Sequence, residues 1–320
     1  MTGSAGRLPD FFVVGHPKSG TTALYEMLRR HPQIHMGDLK EPWFFATDLS
    51  PRFKHPASGV SPRSLEEYAA LFEGAAPDQR IGEGTSSYLM SHTAARAIAE
   101  VRPQARIIAI LREPVSFLRS LHLQLLQNHI ESKQDLRRAL ELEAARREGR
   151  HIPRRSDRPQ LLQYLDHVHY VEQLERYREV FASDQMLVLI YDDFRNANEE
   201  TIRTVLGFLD VDDSVPIDVL EVNPSVRTRS QQLDNLVHAL SVGHGPVSRA
   251  AKGAIKVITP RRLRLDALTL TRERIVNATP RPPDDVLVAE LRRRFSGEVS
   301  ALSEYLGRDL VSLWGYEDAG

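Results

Sequence analysis

The sequence of 320 residues lacks cysteine, which excludes disulfide bonds, thiolate metal sites and cysteine nucleophiles. It also lacks long apolar runs: the apolar stretch at 107–111 is far shorter than the roughly 20 residues that span a bilayer. Neither charge sign dominates, since 42 Lys and Arg stand against 43 Asp and Glu, so we expect neither nucleic acid nor an anionic membrane as a partner. Because the N-terminus, MTGSAGRLPD, has no hydrophobic signal core, we expect a cytoplasmic protein.

Hydrophobic residues make up 41% of the chain, which is enough to bury the core of one large domain. We therefore predict a single domain over residues 1–320 with a flexible N-terminus at 1–9. Two segments rich in charge or glycine, 131–160 and 241–264, are predicted to be mobile, and the basic stretch 146–158 is interpreted as a solvated surface. The sequence leaves the oligomeric state open and is compatible with a homodimer.

Three short apolar runs predict buried β-strands at Phe11–Val14, Arg106–Leu111 and Met186–Tyr191, and a weaker strand is predicted to end near Ile81. Further patterns predict helices at 169–181, 199–209 and 283–306, the last with Gly307 as its C-cap. Continuous apolar strands that alternate with helices are typical of a parallel sheet covered by helices on both faces. The sequence thus predicts an α/β fold whose ligands bind beyond the carboxyl ends of the strands.

The first strand leads into a loop suited to phosphate binding, in the segment FFVVGHPKSGTT at 11–22. A strand, a glycine-containing loop and a helix N-terminus together present backbone N–H groups and a helix dipole to an anion. Nucleotide triphosphatase loops read Gly-x4-Gly-Lys-Ser/Thr. Here Gly15 and Gly20 have that spacing, but Thr21 stands in the lysine position and Lys18 lies inside the loop. The pattern predicts a P-loop-type anion site that differs from an ordinary ATP or GTP loop.

A second candidate binding element is the segment ILREPVSFLRS at 110–120. The strand ends at Leu111, and Pro114 suits the first turn of a helix, which places Ser120 about two turns along. Arg112 and Ser120 can then bind a second phosphate. In the alternative interpretation, Arg112 forms a surface ion pair and Ser120 is solvated.

The segment KEPWFF at 40–45 combines a charged pair with proline and three aromatic residues. In one interpretation the aromatic side chains pack on the core and leave the charges of Lys40 and Glu41 in solvent. In the other, Glu41 acts as a general base.

In this order and spacing, the three segments resemble the PAPS-dependent sulfotransferases, in particular the heparan-sulfate and bacterial branch with a Glu-Pro-x-Phe-Phe segment. The resemblance runs from residue 11 to about 230 and includes GEGTSSYL at 82–89, YVEQLERYREVF at 170–181, VLIYDDF at 188–194, FLDV at 208–211 and NPSVRTRS at 223–230. It implies a sulfuryl transfer from 3′-phosphoadenosine 5′-phosphosulfate (PAPS), with 3′,5′-bisphosphoadenosine as the released nucleotide and no metal.

The resemblance also implies the role of individual residues. The 5′-phosphosulfate is expected to contact Pro17, Lys18, Ser19, Gly20, Thr21 and Thr22. Arg112 and Ser120 are expected to bind the 3′-phosphate, and Arg227 or Arg229 to close over the donor. Glu41 aligns with the catalytic base of the glutamate-using branch, and Lys18 is expected to stabilise the charge that grows on the leaving oxygen.

The acceptor is expected to be a hydroxyl, less readily an amine, of a natural product, lipid or glycan. Candidate contacts are Lys40, Trp43, Phe45, Ser87 and Tyr88, which predict a pocket with apolar walls. The segments 131–160 and 241–264 are expected on the acceptor side of the molecule.

The chain departs from the resemblance at two positions. Gly84 stands where the heparan-sulfate branch has a lysine, which weakens the expectation of a polysaccharide site. Ala23 stands where the cytosolic small-molecule branch, which uses a histidine base, has a tryptophan. A histidine base remains open as an alternative to Glu41, although His122, His167 and His169 are more simply interpreted as packing or surface residues.

Two other functions are compatible with the same fold. A kinase would need a lysine before Thr22 and an acidic magnesium ligand after a strand; the lysine is absent, whereas Asp192 and Asp193 do follow a strand. A non-catalytic nucleotide-binding module would bind the donor without turnover.

Overall fold

The computed structural model describes residues 6–49, 62–154, 156–217 and 284–317, together with the backbone of 227–228 and 277–278. Its centre is a parallel sheet of five strands in the order β2-β3-β1-β4-β5. The strands are β1 Phe11–Gly15, β2 Ile34–Met36, β3 Arg80–Gly84, β4 Arg106–Leu111 and β5 Met186–Ile190. A separate antiparallel pair joins β6 Arg227–Thr228 to β7 Asn277–Ala278. The predicted α/β fold with a parallel sheet is confirmed.

Helices cover both faces of this sheet. They are α1 Thr21–Leu28, α2 Leu65–Ala69, α3 Ala94–Val101, α4 Pro114–Gln127, α5 Leu136–Glu141, α6 Glu143–Arg147, α7 Tyr170–Arg178, α8 Tyr191–Asn196, α9 Asn198–Phe208, α10 Asp285–Leu306 and α11 Leu310–Trp314. The helices predicted at 169–181, 199–209 and 283–306 correspond to α7, α9 and α10. Gly307 ends α10 with a left-handed φ of 62°, which glycine adopts without strain.

The central strand explains why its sequence is continuously apolar. Phe12 and Val14 point into one cluster of buried side chains, with the helices α4, α7 and α10. Phe11 and Val13 point into a second cluster on the opposite face, with α1 and α9. Because successive side chains of a strand alternate between faces, a sheet buried on both sides needs an apolar residue at every position.

Strand β3 extends further than the sequence predicts, since it reaches Gly84 rather than ending near Ile81. The reason is steric. A Cβ atom on Gly82 would lie 2.3 Å from the Phe11 ring, and one on Gly84 would lie 2.7 Å from the Tyr25 ring. These glycines therefore let large side chains of β1 and α1 approach the strand backbone closely, although glycine in a sequence more often indicates a loop.

The basic stretch 146–158 is not simply a solvated surface, which corrects that interpretation. The Arg146 side chain is fully buried, and its guanidinium donates to both carboxylate oxygens of Glu131, at 2.8 Å and 2.7 Å. Burying either charge without the other would cost several kcal/mol, so removing one of the two residues should destabilise the fold. This ion pair fixes α6 against the turn that follows α4.

The C-terminal segment after α10 forms hydrogen bonds with residues that closely follow β4 and β5. Trp314 Nε1 donates to Asp192 at 2.9 Å, and Arg308 pairs with Asp193 through both guanidinium nitrogens. Tyr316 donates at 2.6 Å to the carboxylate of Glu113, which itself caps the N-terminus of α4 through the backbone N–H groups at 115 and 116. The segment after α10 thereby holds the start of α4 in place.

Candidate active site

A cavity of about 1230 Å³ opens where the carboxyl ends of β1 and β4 meet. The chain leaves β1 towards β2 on one side of the sheet and leaves β4 towards β5 on the other. Such a reversal of strand order creates a crevice, and open α/β sheets bind their ligands there. The loop after β1, the residues after β4, the segment at 40–43 and the length of α4 all line this cavity.

The loop after β1, which lines the cavity through Pro17, Lys18 and Gly20, also contains hydrogen-bond donors that have no partner among the described residues. Gly20, with a left-handed φ of 89°, precedes α1, and no described side chain caps the N-terminus of that helix. The Ser19 hydroxyl is fully buried and has no hydrogen-bond partner among the described residues. Free N–H groups at a helix N-terminus, with a spare hydroxyl beside them, fit a phosphate or sulfate group.

Arg112 ties the end of β4 to this loop. Its Nη1 donates to the carbonyl oxygen of Lys18 at 2.8 Å and to Ser120 Oγ at 3.0 Å, and its guanidinium lies 4.7 Å from the centre of the Tyr191 ring. Burial lowers the pKa of both Lys18 and Arg112, and the charge of Arg112 lowers that of Lys18 further. A bound anion would stabilise the charged forms of both side chains, so the pair is suited to binding an anion. The structure thus brings together Lys18, Arg112 and Ser120, as the sequence predicts.

Glu41 also faces the cavity, and it is held from two sides. Ser86 Oγ donates to Glu41 Oε1 at 2.8 Å. Lys40 Nζ lies 3.9 Å from the same oxygen and donates to Thr22 Oγ1 at 2.7 Å, so it bridges the carboxylate and the start of α1. Burial lowers the pKa of Lys40, and the charge of Glu41 opposes that shift. The interpretation that leaves both charges in solvent is therefore wrong.

Three cavity residues have backbone strain. Lys18, Glu41 and Trp43 have φ angles of 68°, 60° and 59°, in the left-handed region that costs a residue other than glycine about 1–3 kcal/mol. Six residues other than glycine have such angles in the described part of the chain, and half of them line this cavity. Strain of this kind is concentrated at functional sites, where it fixes side chains in one orientation.

The aromatic residues of the predicted acceptor site divide between the cavity and the core. Trp43 and Ser87 line the cavity, whereas Phe45 and Tyr88 are buried in the hydrophobic core beneath it. The Tyr88 hydroxyl accepts a 3.3 Å hydrogen bond from the Phe45 backbone N–H. Phe45 and Tyr88 therefore support the segment at 40–45 from below instead of contacting a ligand, which corrects that expectation.

Several of the other residues predicted to contact the donor do line the cavity. Pro17, Gly20, Thr21 and Thr22 line the cavity. The strand β6, which contains Arg227, packs its backbone near α4. Arg229 lies outside the described residues.

Sequence reasoning missed several residues that the fold brings to the site. Ser86 is the hydrogen-bond donor to Glu41, and Ser116 and Arg119 lie on the cavity face of α4. Beneath the cavity, burial raises the pKa of Glu83 to about 7, and Tyr68 donates to its Oε2 at 2.9 Å. Glu83 lies on β3 between two glycines. The sequence around it contains no apolar pattern that would predict a buried carboxyl group.

The candidate histidine bases lie away from the cavity. His122 contacts Tyr164 Oη at 3.0 Å, and burial lowers its pKa. Burial likewise lowers the pKa of His167 to about 4. His169 is exposed beside Glu172. None of the three lines the cavity, as far as the described residues define it, so Glu41 is the candidate base that the geometry supports.

A comparison with protein families shows which family the chain belongs to. A family model described as the sulfotransferase family matches residues 9–214, which is more than half of the chain.

The chain belongs to the sulfotransferase family.

Similarity to individual sulfotransferases covers parts of the chain. The chain is 34% identical over 110 residues to the membrane-associated sulfotransferase kil1 of Dictyostelium discoideum. The matched region is 34% of this chain and 21% of that protein. It is 32% identical over 111 residues to human heparan sulfate glucosamine 3-O-sulfotransferase 6, which is 34% of this chain and 28% of that protein. The chain thus spans between 21% and 28% of the length of these relatives.

A solved sulfotransferase structure agrees with the fold over most of the chain. The crystal structure of a sulfotransferase from Alicyclobacillus acidocaldarius superposes with a TM-score of 0.60 at 26% identity, over 81% of this chain and 99% of that one. Among the described residues, none of the helices has both the length and the apolar character that crossing a membrane requires.

The charge of this sulfotransferase cavity differs sharply from that of the whole chain. Six basic side chains line it against two carboxylates. They are Lys18, Lys40, Arg112, Arg119, Arg158 and Arg195, against Glu26 and Glu41. Because the chain has a net charge of −1, the basic residues are concentrated where a multiply charged anion would bind.

Proposed function

We propose that this sulfotransferase takes its sulfuryl group from PAPS and transfers it to an acceptor hydroxyl. The observation that carries the proposal is the junction of Lys18, Arg112 and Ser120. One guanidinium contacts both the anion-binding loop and a hydroxyl of the neighbouring helix, at 2.8 Å and 3.0 Å. Two anionic groups of one nucleotide, joined through a ribose, match two adjacent anion sites better than a linear triphosphate does.

The loop would hold the 5′-phosphosulfate through the free N–H groups of α1, the Ser19 hydroxyl and the Lys18 ammonium. Arg112 and Ser120 would hold the 3′-phosphate, and the position of β6 beside α4 allows Arg227 to approach the same end. The excess of basic side chains in the cavity supports a donor with about four negative charges.

Glu41 would accept the proton of the acceptor hydroxyl, because its carboxylate lies in the cavity and is oriented by Ser86. The acceptor oxygen then forms a bond to sulfur. The bond between sulfur and the bridging oxygen breaks, and its electron pair stays on the 5′-phosphate. Lys18 stabilises that developing charge, so positioning and electrostatics supply most of the catalysis.

The kinase alternative has less support. Both acidic residues after β5 are engaged by the C-terminal segment, Asp192 by Trp314 and Asp193 by Arg308, and neither lines the cavity. The described residues contain no cluster of three or more histidine and carboxylate side chains.

Calorimetric titration tests the proposal. The purified protein would be titrated with 3′,5′-bisphosphoadenosine and with ATP, each without metal and then with magnesium. We expect micromolar, metal-independent binding of the bisphosphate and at least tenfold weaker binding of ATP. Magnesium-dependent ATP binding, or no binding of the bisphosphate, would overturn the donor assignment. A screen with sulfur-labelled PAPS then separates an enzyme from a silent binding module.

A further inference from the structure

The cavity continues beyond the donor loop along α4, and its character changes on the way. At the start of α4 the lining is polar, with Ser116, Arg119 and Ser120. Further along the helix, and on other segments that line the cavity, apolar side chains predominate, with Trp43, Leu125, Ile130 and Leu161, although Gln124 and Asn128 also line this end. From residue 116 to residue 125 the helix rises about 14 Å, at about 1.5 Å per residue. The apolar end is therefore large enough for a second molecule beside the donor.

One arginine lies in this apolar end. The guanidinium of Arg158 lies 4.4 Å from the centre of the Trp43 ring, and its side chain is only 18% exposed. Its Nε is buried and has no hydrogen-bond partner among the described residues. Among the described residues, the carboxylate that pairs with Arg158 is that of the adjacent Asp157, at 3.3 Å. Arg146 is more deeply buried, and its Nε also has no partner among the described residues, but its two terminal nitrogens are both paired with the carboxylate of Glu131. Arg158 thus keeps donor capacity that the described fold does not use.

Two other arginines of the cavity, Arg119 and Arg195, belong to elements that form the donor end. Arg119 directly precedes Ser120 on α4. Arg195 follows Tyr191 on α8 by four residues, on the helix whose tyrosine stacks on Arg112. Arg158 is therefore the basic side chain that stands apart from the donor loop and beside the apolar wall.

Arg158 is also held in place relative to the candidate base. Gln160 Nε2 donates to the carbonyl oxygen of Asp48 at 3.3 Å, which joins the segment around Arg158 to the one that follows Trp43. Trp43 is two residues from Glu41, and both have left-handed φ angles. Glu41, Trp43 and Arg158 line the same cavity, so an acceptor that contacts the Trp43 and Arg158 pair could direct a hydroxyl at its other end towards Glu41.

We propose that the acceptor is a hydroxylated amphiphile, with an aromatic or acyl body and one anionic group that Arg158 binds. The apolar body would pack on Trp43, Leu125 and Leu161. A partly desolvated guanidinium gains a strong, charge-assisted hydrogen bond from a carboxylate, sulfate or phosphate, and a neutral polar group offers much less. A polyanionic glycan fits less well, because it would place many polar groups against the apolar wall. This inference rests on the proposed function.

Two pairs of acceptors test the charge requirement, since each pair differs only in the anionic group. They are 4-hydroxyphenylacetate against 2-(4-hydroxyphenyl)ethanol, and 10-hydroxydecanoate against 1,10-decanediol. Transfer from labelled PAPS would be measured for the unmodified protein and for Arg158→Gln and Arg158→Lys. Arg150→Gln is the matched control, because Arg150 is an exposed arginine of the same segment, paired with Glu148.

In at least one pair we expect kcat/KM of the anionic member to exceed that of the neutral member about tenfold. Arg158→Gln should reduce that ratio to about one, Arg158→Lys should retain part of it, and Arg150→Gln should leave it unchanged. A ratio near one in the unmodified protein, a ratio that survives Arg158→Gln, or no transfer to any of the four acceptors would overturn the inference. Binding of 3′,5′-bisphosphoadenosine, measured on the same samples, shows separately whether the donor assignment fails.

Discussion

The hydroxyl of Ser86 donates a 2.8 Å hydrogen bond to the carboxylate of Glu41. The two residues come from separate segments: Glu41 follows β2, and Ser86 follows β3. The Glu41 backbone N–H also donates to the carbonyl oxygen of Gly84 at 3.1 Å, so both the main chain and the side chain of Glu41 are fixed on the end of β3. A base that is oriented in this way loses little entropy when it accepts a proton.

Glu41→Gln is expected to reduce turnover about 100-fold or more, because an amide cannot accept the proton of the acceptor. The affinity for 3′,5′-bisphosphoadenosine should stay close to that of the unmodified protein. Ser86→Ala keeps the carboxylate but removes its orienting donor, and we expect about a tenfold loss in kcat. Steady-state kinetics with calorimetry checks both variants. Full activity of Glu41→Gln would remove Glu41 as the base.

Lys18→Ala is expected to weaken nucleotide binding about tenfold and to reduce kcat as well, since Lys18 would contact the phosphosulfate before and during transfer. The exposed Lys133→Ala is the control and should change neither quantity. Calorimetry and single-turnover kinetics separate the two effects. Unchanged nucleotide affinity in Lys18→Ala would contradict the place of Lys18 in the donor site.

Arg112→Lys tests whether the fork of the guanidinium is needed, and not only its charge. Both contacts come from one nitrogen, Nη1, so a lysine could keep them, but it lacks the second nitrogen with which a planar guanidinium binds a phosphate in a bidentate way. We expect a loss in bisphosphate affinity of about tenfold or more. Measuring adenosine 5′-phosphate alongside shows the origin of the loss, because the defect should be much smaller for a nucleotide without a 3′-phosphate. An equal defect for both nucleotides would place Arg112 elsewhere.

Gly82→Ala is expected to destabilise the fold by about 1–3 kcal/mol, because its Cβ would overlap the Phe11 ring and the Met36 sulfur in the core. Gly297→Ala is the matched control, since that position lies within α10 and has no atom within 4 Å of the added Cβ. We expect the control to stabilise the protein by about 0.5–1 kcal/mol. Urea denaturation measures both, and equal stabilities would refute the packing argument.

Glu83 should make the stability of the protein depend on pH. Burial raises its pKa from 4.5 to about 7, so between these pH values the folded state binds a proton that the unfolded state has released. The free energy of unfolding therefore falls as the pH rises through this window, by up to roughly 3 kcal/mol from this group. Glu83→Gln should remove that part of the slope, and the exposed Glu66→Gln should not. Denaturant unfolding at pH 5 and pH 7.5 measures this pH dependence. If the free energy of unfolding of Glu83→Gln fell with pH as steeply as that of the unmodified protein, the prediction would be wrong.

The strands and the loop could be predicted from sequence because their signals are local. Phe11–Val14 is apolar at every position, and Gly15, Lys18 and Gly20 fall close together in a single loop. The pairing of Ser86 with Glu41, of Arg158 with Trp43 and of Arg146 with Glu131 could not be predicted in this way. Each depends on where the sheet places segments that are 15 to more than 100 residues apart.

Phe45 and Tyr88 show a second limit of the sequence. Their aromatic side chains next to candidate site residues suggested a ligand contact, yet both are buried in the core. Aromatic composition indicates burial but does not tell a pocket wall from a packed interior.

The bond between Tyr316 and Glu113 has a consequence for the order of assembly. These residues are 203 positions apart, and their contact completes the cap of the helix that carries Ser120. Closing so long a loop is slow, and it cannot begin on a ribosome until residue 316 has left the exit tunnel. The start of α4 is therefore finished late, after most of the sheet has had time to form. During synthesis the protein would thus acquire its core before the proposed donor site is complete.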